Sequence, residues 1–129
     1  MNITLEKTLV DKLDFRRVIS KSNKIHRKFD VSYIVQSVED CNDKFAITFD
    51  VLVHNSILFK MRAKYTAVFK TSECFNEDFL KSDFARINAP AIAYPFLRSY
   101  VSFITLNSGY EPALLPTINF VEFSEVNFK

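Results

Sequence analysis

The sequence is poor in the residues on which most enzyme sites depend. Its 129 residues include no tryptophan, one glycine, two cysteines and two histidines. A single glycine excludes a glycine-rich phosphate loop and a nucleophile elbow. The cysteines and the two distant histidines do not have the spacing of a zinc site. We therefore expect no enzyme, no catalytic residue, no metal and no cofactor.

Long apolar runs are also missing. No stretch is long enough for a signal peptide or a membrane span, so the sequence predicts a cytoplasmic protein that does not insert into membranes. In that reducing compartment Cys41 and Cys74 are expected to be free thiols. The net charge of +2 is too small to indicate nucleic acid as a partner. The length fits one domain over residues 1–129.

Aromatic side chains, in contrast, are abundant: there are 14 phenylalanines and five tyrosines. On a protein of this size they cannot all be internal, which indicates an interface or an apolar binding groove. The alternative is a phenylalanine-rich core that reflects only the bias of the composition.

Alternating apolar and polar residues predict strands over residues 13–20, 29–39, 44–54 and 57–70. A loop over 21–28 and turns at 40–43 and Asn55–Ser56 connect them. The pattern does not decide the secondary structure of the first dozen residues. Leu5, Leu9 and Leu13 are spaced by four, which favours a short helix, and an extended arm is the alternative. Strict alternation with tight turns is typical of an antiparallel sheet with one wet face, so we expect an α+β fold with helices covering the other face.

One face of the last predicted strand carries Lys60, Arg62 and Lys64. Their ordinary interpretation is a solvated sheet face whose long side chains cover apolar surface, and we favour it. The functional alternative is an anionic partner. The aromatic residues of this strand fall on the opposite face, which does not suit a platform that stacks bases. We therefore expect no nucleic acid.

Helical signals occupy the second half of the chain. Asn76 is a suitable N-cap for a short helix that ends near Asn88–Pro90. Pro95 fits the first turn of a main helix that runs to about residue 107. The apolar residues of this helix recur at spacings of three and four and form one wide stripe: Phe96, Leu97, Tyr100, Val101, Phe103 and Ile104.

The chain then turns and stays extended. Gly109 falls where a helix needs a left-handed C-terminal residue, and Pro112 and Pro116 prevent the helix from continuing. Residues 121–129 fit either a second helix or a strand. Taken in order, these features resemble the SecB family of protein-export chaperones. The matching residues are Tyr94-Pro95-Phe96-Leu97-Arg98, Gly109, Tyr110, Pro112, Leu114-Leu115, Pro116 and Asn119-Phe120.

The resemblance implies a four-stranded antiparallel sheet followed by helices packed on one face. It implies a homotetramer built as a dimer of dimers, with the main helix at the dimer–dimer interface, so the candidate interface residues are Leu97, Val101 and Ile104. It also implies an ATP-independent holdase that binds unfolded polypeptide in long apolar grooves. The candidate groove residues are Tyr94, Phe96, Tyr100, Phe103, Tyr110, Leu114, Leu115 and Phe120.

The resemblance leaves two kinds of client open, namely exported proteins and a dedicated client such as an antitoxin. Export-type members are acidic and engage the SecA motor through acidic sheet residues, whereas this chain is mildly basic, so SecA stays an open partner. The alternative function is a non-catalytic oligomeric adaptor that uses its aromatic side chains only for self-assembly.

Overall fold

The computed structural model describes residues 1–19 and 24–127. Its four strands are Ile3–Arg17 (β1), Arg27–Ser37 (β2), Lys44–Asn55 (β3) and Phe59–Thr71 (β4). They form one antiparallel sheet in the order β1-β4-β3-β2. Strands β2, β3 and β4 form a meander, and β1 pairs with β4, so β1 and β2 are the two edges.

Strand β1 corrects the short helix that was favoured for the first dozen residues. Its pairing with β4 shifts register at Glu6 and again at Asp11. Each shift is a bulge that reverses the faces of the residues that follow. Leu5 and Leu13 therefore share a face with the core, while Leu9 lies on the opposite face. A spacing of four is compatible with a strand as well as with a helix, and here the two bulges separate Leu9 from the other two leucines.

The inward faces of β3 and β4 form the centre of the core, as the alternation predicts. The rings of Phe45 and Phe69 stack with their centroids 5.3 Å apart. On the opposite face Lys60, Arg62 and Lys64 are exposed. The fully buried side chains of the inward faces are Phe45, Ile47, Phe49, Val51, Met61, Ala67 and Phe69.

Helices follow the sheet. Their bounds are Glu77–Lys81 for a 3₁₀ helix, Phe84–Asn88 for a π-helical turn, Ala89–Asn107 for α1 and Phe120–Asn127 for α2. The predicted α+β fold with a four-stranded antiparallel sheet is confirmed. Asn76 caps the first helix, because its side-chain oxygen accepts a hydrogen bond from the backbone N–H of Asp78 at 3.1 Å. Of the two alternatives for the C-terminal residues, the helix is the one observed up to residue 127.

Helix α1 starts earlier than predicted. Pro90 lies in its first turn, whereas Pro95, which was expected there, lies inside the helix. The helix end expected near Asn88–Pro90 is also wrong, because the π-helical turn runs directly into α1. Pro95 leaves the carbonyl of Ala91 without its helical donor. Both residues are exposed, so water can satisfy that carbonyl.

Helix α1 packs on the sheet through mostly small side chains. The residues at every fourth position face the sheet and are fully buried, namely Ala89, Ala93, Leu97, Val101 and Thr105. The hydroxyl of Thr105 donates to the carbonyl of Val101 at 2.9 Å, so its burial leaves no unpaired donor. This row brings the helix backbone close to the inward face of the sheet.

After α1 the chain reverses and runs back along the helix. Gly109 makes the reversal with φ of 95°, in the left-handed region that was predicted for this position. We call Tyr110–Asn119 the return segment, and residues 111–119 contain neither helix nor strand.

Three side chains of α1 hold the return segment in place. The hydroxyl of Thr105 accepts a hydrogen bond from the backbone N–H of Ala113, and the hydroxyl of Ser102 donates to the carbonyl of Ala113, both at 2.8 Å. The hydroxyl of Tyr94 donates to the carbonyl of Pro116 at 2.6 Å. The segment is therefore fixed to the helix at two points.

Two parts of the sequence predictions, at residues 20–23 and 128–129, lie outside the described residues. Within residues 1–19 and 24–127, no helix is both long enough and apolar enough to cross a membrane.

Candidate functional site

An open cleft lies where the return segment passes over one end of the sheet. Its volume is about 360 Å³. Strands β2, β3 and β4 supply one wall, and the first half of the return segment supplies the other. The residues that line it are Arg27, Phe29, Val53, His54, Asn55, Leu58, Phe59, Tyr110, Glu111, Pro112, Ala113 and Leu114.

The cleft exists because the sheet is longer than the helix that covers it. With 19 residues, α1 spans roughly 28 Å at 1.5 Å per residue. With 13 residues, β4 spans roughly 43 Å at 3.3 Å per residue. The helix therefore cannot cover the whole inward face, and the return segment covers only part of what remains.

Stacked aromatic rings form the floor of the cleft. The ring of Phe59 lies 4.8 Å from that of Tyr110 and 5.2 Å from that of Phe15, measured between centroids. Phe59 is buried, and the other two residues are half-buried. This cluster holds Tyr110 in place and gives the cleft an apolar base.

Apolar side chains also lie at the mouth of the cleft. Leu114 is 72% exposed, whereas its neighbour Leu115 is fully buried in the core. The buried residue anchors the return segment while the exposed one stays free to contact a ligand. Across the cleft Phe29 is partly exposed at the edge of the sheet. Exposed apolar residues on both walls are typical of a surface that binds another apolar chain.

Two buried tyrosines join the sheet and helix α1 to the segments packed against them. The hydroxyl of Tyr94 donates to the carbonyl of Pro116, and that of Tyr33 donates to the carbonyl of Arg86 at 2.5 Å. Burial raises the pKa of each tyrosine to about 12. Both phenols therefore remain protonated donors at neutral pH.

The structure separates the eight candidate groove residues into three groups. Tyr110 and Leu114 line the cleft. Phe96 and Phe103 are exposed on the far side of α1, and Tyr100 stacks on Tyr65 with a centroid distance of 5.3 Å. The remaining three are buried and belong to the core, which corrects their place in the groove: Tyr94, Leu115 and Phe120.

The three candidate interface residues need a similar correction. Leu97 and Val101 are fully buried against the sheet, and Ile104 is half-buried against the same core. A partner chain cannot reach the first two in this fold. The exposed apolar residues of α1 lie on its opposite face together with Ser99, and we call this face the outer stripe: Ile92, Phe96, Ser99, Phe103 and Leu106.

Several cleft residues were not among the candidates. Phe29, Val53 and Phe59 fall within the predicted strands, but nothing in the alternation distinguishes an inward residue beneath the helix from one beyond its end. Leu58 falls within the strand predicted over residues 57–70, but it lies in the turn before β4. Among the described residues, no three potential metal ligands come together.

Comparison with known proteins identifies the fold and the family. The Rv1957 SecB-like chaperone of Mycobacterium tuberculosis, solved in complex with a ChAD peptide from the Rv1956 HigA1 antitoxin, matches with a TM-score of 0.71 at 12% identity, over 90% of this chain and 89% of that chain. A protein of unknown function from Streptococcus agalactiae matches with a TM-score of 0.52 at 12% identity, over 91% and 98% of the two chains. The family model for SecB, the preprotein translocase subunit, matches residues 11–127. The chain belongs to the SecB family.

Curated SecB proteins are similar over part of their length. The protein-export protein SecB of Ehrlichia canis is 31% identical over 83 residues, which is 60% of this chain and 47% of that protein. That of Afipia carboxidovorans is 32% identical over 76 residues, or 59% and 46%. The chain spans about half the length of the curated relatives it matches. The resemblance to the SecB family that the ordered motif indicates is confirmed.

Proposed function

We propose that this chain is an ATP-independent holdase that binds unfolded or aggregation-prone polypeptide in the cleft. The observation that carries the proposal is the apolar cleft itself, with Leu114 exposed on one wall, Phe29 on the other and the rings of Phe59 and Tyr110 beneath. The proposal assigns no catalytic residue and no cofactor, and it places the protein in the cytoplasm.

The expected affinity of one cleft is modest. An apolar segment that loses about 200 Å² of exposed surface gains about 5 kcal/mol at 25 cal/mol per Å². Association and ordering of a flexible segment consume much of that gain. A single cleft would therefore bind weakly, and several clefts on one assembly would hold a long unfolded chain through many such contacts.

The outer stripe supports assembly into a homo-oligomer. Its residues follow one another at spacings of four, three, four and three, which is the spacing of a coiled-coil seam. Phe96 and Phe103 are exposed there in the single chain, and a second copy of α1 would cover them. We propose that the outer stripe, and not the buried row of Leu97 and Val101, is the helix face at the interface of a dimer of dimers.

The relatives support two kinds of client. Those in Ehrlichia canis and Afipia carboxidovorans are protein-export proteins, and the structural neighbour is bound to a peptide from an antitoxin. We propose unfolded polypeptide as the common ligand, for export or for a dedicated client such as an antitoxin. SecA remains a possible partner only for the export role.

The test is to mix the purified protein with one slow-folding protein, denatured in one sample and native in the other. Light scattering coupled to size exclusion is expected to show a complex with the denatured protein alone. Leu114→Asp should weaken that complex about ten-fold or more, because a charge in the cleft must be desolvated when the client binds. Ile34→Asp, at an exposed apolar residue on the opposite face of the sheet, is the matched control and should bind normally. Binding to neither form would exclude a holdase.

The outer stripe also favours the second candidate function, an oligomeric adaptor without a polypeptide client. An adaptor would cover its exposed apolar surface on assembly and bind little of an apolar fluorescent dye. A holdase would still bind the dye in its native oligomer, because the cleft does not overlap the outer stripe. The dye titration on the assembled protein therefore distinguishes the two functions.

A further inference from the structure

A cluster of cations lies at the end of the sheet that carries the cleft. Residues 15–19 and 24–29 contain five lysines and arginines and no acidic residue. Hydrogen bonds join the described parts of this stretch to the turn between β3 and β4. The backbone N–H of Val18 donates to the carbonyl of Leu58 at 2.9 Å, and that of Ser56 donates to the carbonyl of His26 at 3.0 Å. We call this region the basic end.

The opposite end of the sheet is acidic. The turn between β2 and β3 is hydrogen-bonded to the residues that follow β4, since the N–H of Thr71 donates to the carbonyl of Asp43 at 2.8 Å and that of Phe75 to the carbonyl of Asn42 at 2.9 Å. The acidic residues of this end are Glu39, Asp40, Asp43, Glu73, Glu77, Asp78 and Asp83. Strand β3 separates the two ends by roughly 40 Å, which is several times the Debye length of about 8 Å. The charges of one end therefore hardly affect the electrostatic potential at the other. The small net charge thus conceals two regions of opposite sign.

One arginine of the basic end lines the cleft, and a second lies in the same row of the sheet. Arg27, Asn55, Phe59 and Arg17 pair in one row across the sheet, on the face that carries the cleft. Arg27 lines the cleft, and Arg17 is exposed at the other end of the row. In the described part of the chain neither arginine makes an ion pair. Glu111 is the one carboxylate among the lining residues, and no ion pair joins it to Arg27.

The opposite face of the same end adds to the positive field. Arg16, Lys60, His54 and Lys28 pair in a second row, so cationic side chains lie directly beside one another. Asp14 pairs with Arg16 at 3.0 Å and Asp30 with Lys28 at 3.5 Å, which neutralises only the two ends of the row. Like charges that are opposite each other across strands destabilise a sheet. A bound anionic group would relieve this repulsion.

We propose that the cleft selects polypeptide segments that carry aspartate or glutamate beside an apolar anchor, a preference that rests on the proposed holdase function. The anchor occupies the apolar cleft, and the flanking carboxylates meet Arg17 and Arg27. Arginine suits this role because its planar guanidinium donates two parallel hydrogen bonds to one carboxylate. Segments flanked by lysine or arginine are disfavoured by the same field.

The experiment uses three short labelled peptides with one common apolar centre and flanks of glutamate, glutamine or lysine. Their affinity for the full chain is measured by fluorescence anisotropy at low and at physiological salt. The glutamate peptide is expected to bind most tightly and the lysine peptide least tightly, with a ratio of about five-fold for each arginine engaged. Salt should weaken the binding of the glutamate peptide and leave the affinity of the glutamine peptide nearly unchanged.

A double variant, Arg17→Gln with Arg27→Gln, tests the assignment to the two arginines. It should bring the affinity ratio of the glutamate and glutamine peptides close to one. Lys81→Gln, a change of the same kind at the acidic end, is the control and should preserve the ratio.

The failures of the two proposals are distinguishable. Equal binding of all three peptides would overturn the acidic preference and leave the holdase function intact. Binding of none would also overturn the acidic preference, whereas the holdase function fails only if the denatured protein forms no complex. A short single-stranded RNA that bound more tightly than the glutamate peptide would assign the basic end to nucleic acid and overturn the inference.

Discussion

The two faces of α1 differ in a way that the usual association of large apolar residues with the core does not explain. The face on the sheet carries Ala89, Ala93 and Val101, all fully buried, whereas the face on solvent carries Phe96 and Phe103. Small side chains let the helix approach the sheet, where the phenylalanines of the strands already fill the space. The size of an apolar residue therefore does not indicate which face of this helix is internal.

The sharpest test of this comparison uses two leucines of the same helix. Leu97 is fully buried, and Leu106 is 56% exposed on the outer stripe. Leu97→Ala should lower the free energy of unfolding by about 2–5 kcal/mol, because it leaves a cavity. Leu106→Ala should change it by less than about 0.5 kcal/mol. Urea denaturation at a concentration where the chain is monomeric measures both, and equal losses would show that the two faces are not different.

The outer stripe should affect assembly and not folding. Phe103→Ser removes a ring that is 60% exposed in the single chain. If the ring is central to an interface, its loss should weaken self-association by about 2 kcal/mol, or roughly 30-fold. Light scattering across a range of protein concentrations measures the shift. Ile34→Ser, an exposed apolar residue outside the stripe, should leave the mass unchanged, and an unchanged mass for Phe103→Ser would remove the stripe from the interface.

The free energy of unfolding should fall at alkaline pH. Because burial raises the pKa of Tyr33 and Tyr94 to about 12, only the unfolded chain ionises them between pH 10 and 12. Unfolding then releases protons, so stability is fully present below pH 10 and falls as the pH rises. At about pH 11, each tyrosine should lower the free energy of unfolding by about 1 kcal/mol.

The check is the urea midpoint as a function of pH for the wild type, Tyr33→Phe and Tyr94→Phe. Each variant loses a hydrogen bond at every pH but should show a flatter decline above pH 10. A decline as steep as that of the wild type in both variants would mean that other groups cause it.

The smallest expected change in stability is at Gly109, where the chain reverses after α1 and brings Leu115 back to the core. Gly109 has φ of 95°, and a Cβ atom added there would meet nothing within 4 Å. Gly109→Ala should therefore cost only backbone strain, about 1 kcal/mol, and Gly109→Asn less. Thermal unfolding of both variants measures the difference. A much larger loss for alanine would indicate that the reversal rearranges.

The sequence predicts the regular parts of this fold well and the irregular ones poorly. Alternation locates β2, β3 and β4 and their inward faces because those strands pair without interruption. It fails for β1, where bulges at Glu6 and Asp11 break the alternation, and the spacing of four between the leucines of this strand imitates a helix. Pro95 led to a wrong start for α1, because a proline is tolerated inside a helix at a solvated position as well as in the first turn.

The candidate site was predicted in part. The order of Gly109, Pro112 and Pro116 indicates the return segment, and Tyr110 and Leu114 from that segment do line the cleft. The other wall depends on where the helix stops over the sheet, which is a difference between two lengths and not a property of any single residue. The same limit applies to the faces of α1, because an apolar stripe that covers both faces does not say which one meets the sheet.

The bulges of β1 also determine what the edge of the sheet can do to a neighbouring chain. An unbroken edge of 15 residues would offer its backbone groups to any extended polypeptide, and a protein that holds unfolded chains would meet many of them. Glu6 and Asp11 interrupt this edge with a carboxylate at each bulge, one paired with Lys44 at 3.1 Å and the other accepting a hydrogen bond from the hydroxyl of Thr66. In the proposed holdase, a client held by side chains in the cleft can leave again, whereas one added as a further strand would present a new unpaired edge. The bulges of β1 thus disfavour strand addition at that edge of the sheet.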